Sequence, residues 1–402
     1  MREFFKVVNY QEAREQVRQH FPSRMSEVVA LEQACNRVLA VPVQSPEPLP
    51  AFHRSTVDGY AIQAQDSFGS SESIPAFFTL VGEVPMGEVP GFDLLPGQCA
   101  WIPTGGMLPP GSNAAVMVEY TEKLGEDTIL VYRPVSLWEN VMQRGEDIQT
   151  GQFLYEAGFR LRAQDIGLLA SLGFTSLEVY RPYRVGIIST GDEIVEVESH
   201  PAIGQVRDVN SASLTAAVQT TGNLPCTYPI VRDDFGLLKA TLEMALREND
   251  LVLMSGGSSV GIKDVTLDVL QDLPDSELLF HGIAVKPGKP TLAVRVGRKL
   301  VVGLPGHPVS ALMIFLIICR PVLGFAGTGF QEALCSENIA SQPGRDDFIP
   351  VQLTNRGDAW TAQPLLGKSG LMSILSRADA FIHIGYEQQG VLQGQTVTAI
   401  LF

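Results

Sequence analysis

Cysteine is scarce in this chain and carries no pattern. Five residues (Cys35, Cys99, Cys226, Cys319 and Cys335) are spread over 402 positions, with no C-x-x-C pair and no histidine at metal-ligand spacing. That excludes a disulfide framework and a structural zinc site, and a reducing cytoplasm is the expected compartment. Basic charge is short as well: Lys and Arg number 29 against 44 Asp and Glu, a net charge of −15, with no basic run that could track a phosphate backbone. Nucleic acid is excluded as a partner. The same field repels small anions, so an anionic ligand needs a local site or a bound divalent cation. Long apolar runs are missing too. The longest, Ala311 to Cys319, covers nine residues, about half of a membrane span, and reads as a buried helix. The opening MREFFKVVNYQEAREQV carries charge in its first three residues and no signal-type apolar core, so the protein is expected to stay where it is made.

What is present is a folded, loop-rich chain, 45% apolar with 38 Gly and 26 Pro, and its length suits several domains. Residues 10 to 40 read as two helices, from Ala13, Val17 and Phe21 and then Val28, Val29, Leu31, Cys35 and Leu39. Helical spacing returns at 145 to 175, with Asp165 near the start of DIGLLASLG and Gly173 placed to end it. These two parts are expected to form one discontinuous helical domain, 1–44 with 145–176. Between them, short apolar stretches such as FFTLV, CAWIP and TILVY, punctuated by Pro-Gly turns, predict a small β domain over 45–144. Residues 177–326 alternate strand and helix (RVGIIST, SASLTAAVQTT, PCTYPIV, DFGLLKATLEMAL, DLVLMSGG, DVTLDVLQDL, KLVVGLPG, VSALMIFLIIC), the pattern of a central parallel α/β/α domain. Residues 327–402 revert to strands and predict a small barrel or sandwich, so the whole is a multidomain α/β plus β protein.

In an open parallel sheet, ligands bind beyond the carboxyl ends of the strands, and here those loops are chemically loaded. Ser255-Gly256-Gly257-Ser258-Ser259-Val260-Gly261 lies between a strand and a helix and offers successive backbone N–H groups to a phosphate, with neither a Walker A lysine nor a dinucleotide fingerprint. Lys286-Pro287-Gly288-Lys289-Pro290 predicts a type II turn that brings two ammonium groups together, an arrangement that an oxyanion between them relieves. Glu193, Asp233 and Asp264 are hard oxygen donors of the kind Mg²⁺ takes beside phosphate. Asp233 or Asp234 competes for a second role, capping the helix at Phe235, and Asn210 and Ser211 read as caps. Pro305 and Gly306, in Gly303-Leu304-Pro305-Gly306-His307-Pro308, complete the ring of loops.

Eight segments in order, LPAFHRSTVDGYAI (49–62), IPTGGMLPPGSNAAVMVE (102–119), RGEDIQTG (144–151), STGDEIV (189–195), GQVRDVNS (204–211), SGGSSVGIKD (255–264), VKPGKPT (285–291) and GLPGHPVSA (303–311), are similar to those of one family. Over nearly its whole length the chain resembles the molybdopterin molybdenumtransferases, the bacterial MoeA proteins and the E domain of gephyrin. The resemblance implies an elongated four-domain protomer with a C-terminal β-barrel. It implies a homodimer whose second subunit closes the site, and Mg²⁺-assisted replacement of the adenylate on molybdopterin by molybdate with release of AMP. It places the active-site residues at Asp58, Thr104, Asp147, Glu193, Asp233, Asp264 and Lys286, with Lys289 beside the anion and Ser369 near the molybdate. The implied partners are an upstream adenylyltransferase and recipient molybdoenzymes, with no membrane. The chain departs from the family at Gly282, usually basic, at His307, usually Asn, and at Pro350, commonly Arg.

Two other readings fit parts of the chain. Gly257 to Gly261 satisfies G-x-S-x-G, which would make Ser259 a hydrolase nucleophile with His307 or His383. The three departures also suit a non-catalytic, gephyrin-like scaffold that keeps the fold.

Overall fold

The computed structural model describes residues 7–256, 265–324, 329–355, 357 and 359–402. The chain divides into two compact units, one made of Met1–Glu27 with Tyr180–Phe402, the other of Val28–Val179.

The first unit is built on a six-stranded sheet in the order Leu224–Thr227, Arg184–Ser189, Leu251–Ser255, Lys299–Leu304, Leu292–Val296, Ser276–His281. Its first four strands are parallel, and the last two add an antiparallel hairpin at one edge. The parallel strands are continuous apolar runs because both faces are covered. Ile187, Leu253 and Val302 pack with Leu214, Val218 and Val309 on one side, while Ile188, Val252, Met254 and Val301 pack with Leu238, Leu242 and Val269 on the other. Alternate residues thus serve opposite cores. The apolar run at 311–319 is buried as expected, with Pro308–Ile314 helical and Phe315–Cys319 continuing as a π turn.

The helix Tyr10–His20 also packs into this unit, its Ala13 and Val17 joining the core that holds Val185 and Ile187. The second helix expected before residue 40 is absent. Ser26–Ala30 is a strand paired with Ser176–Tyr180, followed by a single 3₁₀ turn, Leu31–Gln33. The adjacent β-branched Val28 and Val29 favour the extended chain, and Asn36, at φ 65°, breaks any helical continuation.

Five strands of the C-terminal segment close into a barrel. Phe330–Cys335 pairs with Trp360–Pro364 and Thr396–Leu401, and Asp346–Asn355 joins Trp360–Pro364 to Ala380–Ile384, which returns to Thr396–Leu401. The short strand Val285–Lys286 adds to it in parallel beside Asp346–Asp347.

The second unit holds a six-stranded sheet in the order Ala114–Met117, Gly59–Ile62, Gln98–Ile102, Ala76–Glu83, Thr128–Val131, Thr121–Leu124. One α-helix, Ala163–Ser171, lies within it. Asp165 accepts from Arg162 N–H at 2.8 Å at the start of this helix, and Gly173 turns the chain out at φ 78°. No helix among the described residues is long and apolar enough to cross a membrane.

Candidate functional site

In the first unit the loaded loops meet where the parallel strands end. Ser189 and Ser255 are paired in register, as are Ser255 and Leu304, and Thr190 N–H donates to Ser255 O at 2.9 Å. Gly256 sits at φ 102°, so tightly placed that a Cβ would lie 2.1 Å from Thr190 O, and Gly306 passes beside its Cα. Only glycine fits at 256. Asn210 Nδ2 donates to Gly306 O at 3.0 Å, holding the Pro305–Gly306 loop to the helix Val209–Thr220. Three of the expected loops therefore do converge. Of the predicted residues here, Gly257, Ser258, Ser259, Gly261 and Asp264 lie outside the described residues.

The acidic side is formed by the turn after Ser189. Gly191 N–H donates to Val231 O, bringing the 191–194 turn beside the 231–234 loop. Asp234 caps the helix Phe235–Glu248 by accepting from Leu237 N–H at 2.9 Å, which settles the capping question and leaves Asp233 unengaged by that helix. Burial raises the pKa of Asp233 from its ordinary value, and the charges of Asp192 and Glu193 raise it further. These carboxylates destabilise one another unless a cation lies near. Among the described residues no three metal-ligating side chains close on a common point. Mg²⁺, however, takes one or two carboxylates and completes its shell with water and phosphate oxygen, so Glu193 and Asp233 suit it.

The lysine loop differs from the expected turn. Its backbone closes from Ile283 N–H to Lys289 O at 3.0 Å, rather than across Lys286 to Lys289, because Lys286 is drawn into the barrel ladder opposite Asp347. Gly288, at φ 113°, lies against Ile314, and Thr291 Oγ1 donates to its carbonyl at 2.6 Å. Both lysine side chains are exposed.

Ser369, from the C-terminal segment, reaches the loop after the Lys299–Leu304 strand. Its Oγ lies 2.9 Å from His307 Nδ1, and its carbonyl accepts from Val309 N–H. Of the other departures from the family pattern, Gly282 is buried at φ 109°, and Pro350 sits in a barrel strand opposite Phe381. Neither histidine of the hydrolase reading is idle: His307 meets Ser369, and His383 Nε2 pairs with Asp346 at 2.7 Å. A cavity of about 560 Å³, lined by His383 with Asn9, Gln11 and Tyr386, contains none of the residues that the family resemblance places in the active site. The strand ends carry the convergent chemistry, and that cavity does not.

Asp58, Thr104 and Asp147 belong to the second unit. The segment 49–58 is the spine of their neighbourhood. It takes Gly105 N–H on Ser55 O and Leu108 N–H on His53 O, and it also takes Gly145 N–H on Pro50 O and Asp147 N–H on Leu49 O. Arg144 N–H donates to His53 Nδ1, whose ring stacks on Trp138. Asp58 Oδ1 accepts from both Thr104 N–H, at 2.7 Å, and Thr104 Oγ1, at 3.0 Å. Those two bonds, the backbone one foremost, lower the Asp58 pKa. Gly59 must be glycine, since a Cβ would fall 1.9 Å from Val116 O.

Sequence reasoning missed Asp208. Asn210 and Ser211 were the expected caps, but the cap is Asp208, which accepts from Ser211 N–H at 3.0 Å, and Asn210 is already helical. The signal was the D-x-x-S spacing ahead of an apolar helix.

Comparison with known proteins gives a consistent result. The model of the MoeA N-terminal region (domain I and II) matches residues 8–173, that of a probable molybdopterin binding domain matches 186–324, and that of the MoeA C-terminal region (domain IV) matches 332–402. A putative molybdopterin biosynthesis protein of Methanocaldococcus jannaschii is 32% identical over 93% of this chain and 91% of its own length. The molybdopterin molybdenumtransferase of Haemophilus influenzae is 30% identical over 94% of each. A crystal structure of a molybdopterin biosynthesis MoeA protein from Pyrococcus horikoshii covers 98% of this chain and 99% of its own at 35% identity, with a TM-score of 0.88.

Proposed function

This chain belongs to the MoeA family of molybdopterin molybdenumtransferases, enzymes of molybdenum cofactor biosynthesis, and we propose that it exchanges the adenylate of an adenylated molybdopterin for molybdate. The dithiolene sulfurs take the metal and AMP leaves. The observation that carries the reading is the convergence of three loops at the glycine-lined strand ends, with Asp192, Glu193 and Asp233 on the adjoining turns, where the charges of the first two help to raise the pKa of Asp233. Glu193 and Asp233, together with Asp264, would hold Mg²⁺ there, and the ion would supply charge neutralisation to the pyrophosphate. Lys286 and Lys289 attract the oxyanion and offset the charge that develops on phosphate. Ser369, in contact with His307 at 2.9 Å, would offer a hydroxyl to the molybdate.

The second copy of a homodimer supplies Asp58, Thr104 and Asp147. What supports this is the family resemblance, and the two residue groups lie in different compact units. The five unpaired cysteines suit a reducing cytoplasm, and the partners are the upstream adenylyltransferase and the molybdoenzymes that receive the product. The test is AMP release from adenylated molybdopterin on addition of molybdate, with and without Mg²⁺. Release that needs both is expected, and no release under any condition would refute the reading.

A further inference from the structure

At the sheet's carboxyl edge lies a cluster of polar groups that belongs to no ligand contact so far described. Asp208 is 7% exposed and Ser189 and Ser255 are each 2% exposed. Asp208 Oδ1 accepts from Ser211 N–H at 3.0 Å and from Ser189 Oγ at 2.9 Å. Ser189 Oγ is also 2.9 Å from Ser211 Oγ and 3.1 Å from Ser255 Oγ. A hydroxyl has one proton. Ser189 gives its proton to Asp208, so Ser211 and Ser255 must both donate to Ser189. The hydroxyl proton of Ser255 is thereby committed within the protein and is not left for a phosphate.

We propose that Asp208 is a positioning residue of the pterin site, holding Ser255 through Ser189 and so fixing where the glycine-rich loop leaves its strand. The inference rests on the functional reading above and gives the Ser255 hydroxyl a framing role. Asp208 does two things with one oxygen. It caps the helix Val209–Thr220 and ties that cap to two neighbouring strand ends. Two residues on, Asn210 ties the same helix to Gly306. One helical turn therefore sets the Ser189, Ser255 and Gly306 loops against each other. Because Gly256 meets Thr190 O with no room for a Cβ, a small slip of Ser255 moves the backbone that faces the ligand.

Hydrogen exchange at the strand ends, together with equilibrium binding of adenylated molybdopterin, tests this on the full chain. Asp208→Ala is expected to speed exchange of the Thr190 amide, which donates to Ser255 O, by about tenfold, and to weaken pterin binding by about tenfold. Asp208→Asn keeps an oxygen that accepts both bonds and should restore each quantity to within about threefold. Asn9→Ala removes a comparable cap, the one on Glu12 N–H, and should change neither. Parental exchange in Asp208→Ala overturns the proposal whatever the binding result. Faster exchange with parental affinity overturns it too, by showing a frame that does not serve the site. If the parent protein itself fails to bind the pterin, the functional reading falls, and exchange still decides whether Asp208 holds the strand ends.

Discussion

Ser369 and His307 are separated by 62 positions in sequence, yet their side chains meet at 2.9 Å, joining the C-terminal segment to the loop at the end of the Lys299–Leu304 strand. If this contact orients the Ser369 hydroxyl, removing either partner has the same consequence. Ser369→Ala and His307→Ala should each raise the KM for molybdate several-fold, and the double variant should be little worse than the worse single one, a non-additivity that marks groups acting as a unit. Steady-state kinetics of the four proteins checks this. Fully additive effects would separate the two residues.

Asp58 should titrate unusually low. The Thr104 amide and hydroxyl both bond its charged form, so the folded pKa lies below that of an ordinary aspartate. A carboxylate with a depressed pKa adds stability that is present above the unfolded pKa and is lost as pH falls through the folded one. At neutral pH Asp58 is therefore an anion and a weak base, suited to binding a cation or accepting a hydrogen bond and not to moving a proton. Thr104→Val keeps the amide bond and deletes the hydroxyl, so an NMR titration should find the Asp58 pKa shifted upward but still below that of Thr104→Pro, which lacks both. An unchanged value in Thr104→Val would remove the hydroxyl from the account.

Asp233 carries the opposite shift. A carboxyl group whose folded pKa is raised is a charge the fold would rather not hold, so at neutral pH it costs stability. Asp233→Asn should melt higher than the parent without metal, and Mg²⁺ should raise the melting temperature of the parent more than that of the variant. Thermal melts with Mg²⁺ or EDTA decide the matter. Equal metal effects in both proteins would take Asp233 out of the metal site.

Gly256 and Gly297 both have positive φ, 102° and 58°, but a Cβ at 297 meets nothing within 4 Å, whereas one at 256 meets Thr190 O. Gly297→Ala isolates the backbone cost, about 1 kcal/mol, and Gly256→Ala should cost about 1–3 kcal/mol more, since a clash with backbone has no flexible atom to absorb it. Denaturant unfolding of the pair measures the difference.

Much of this architecture is legible in the sequence, for identifiable reasons. VGII, LVLM and LVV are apolar on both faces, and that alone marks them as strands of a covered parallel sheet. The residues around 28–39 misled because their apolar spacing satisfies a helix while the local chain is extended, and the partner strand lies well over a hundred residues away at Ser176–Tyr180. The hairpin Ser276–His281 with Leu292–Val296 was masked by the lysine loop that interrupts it. The site followed the same rule. Glycines whose conformation is local were found, but Asp208 was not, because its bond to Ser189 exists only when a helix start meets a strand end.

The last prediction concerns how the site is shared between subunits. Asp58, Thr104 and Asp147 belong to one compact unit, and Glu193, Asp233, Lys286 and Lys289 to the other. In a homodimer a two-fold operator generates two equivalent sites, each drawing one group from each protomer. Asp58→Ala and Asp233→Ala proteins, each inactive alone, can then be mixed and allowed to exchange subunits. In a mixed dimer one site carries both lesions and the other carries neither. Random exchange makes about half of the dimers mixed, so about a quarter of parental activity should return, and it should rise with the same time course as heterodimer formation followed by native mass spectrometry. If the residues all came from one protomer, every site in a mixed dimer would still carry one lesion. Heterodimers without recovered activity would therefore place all the residues in one subunit and refute the shared site.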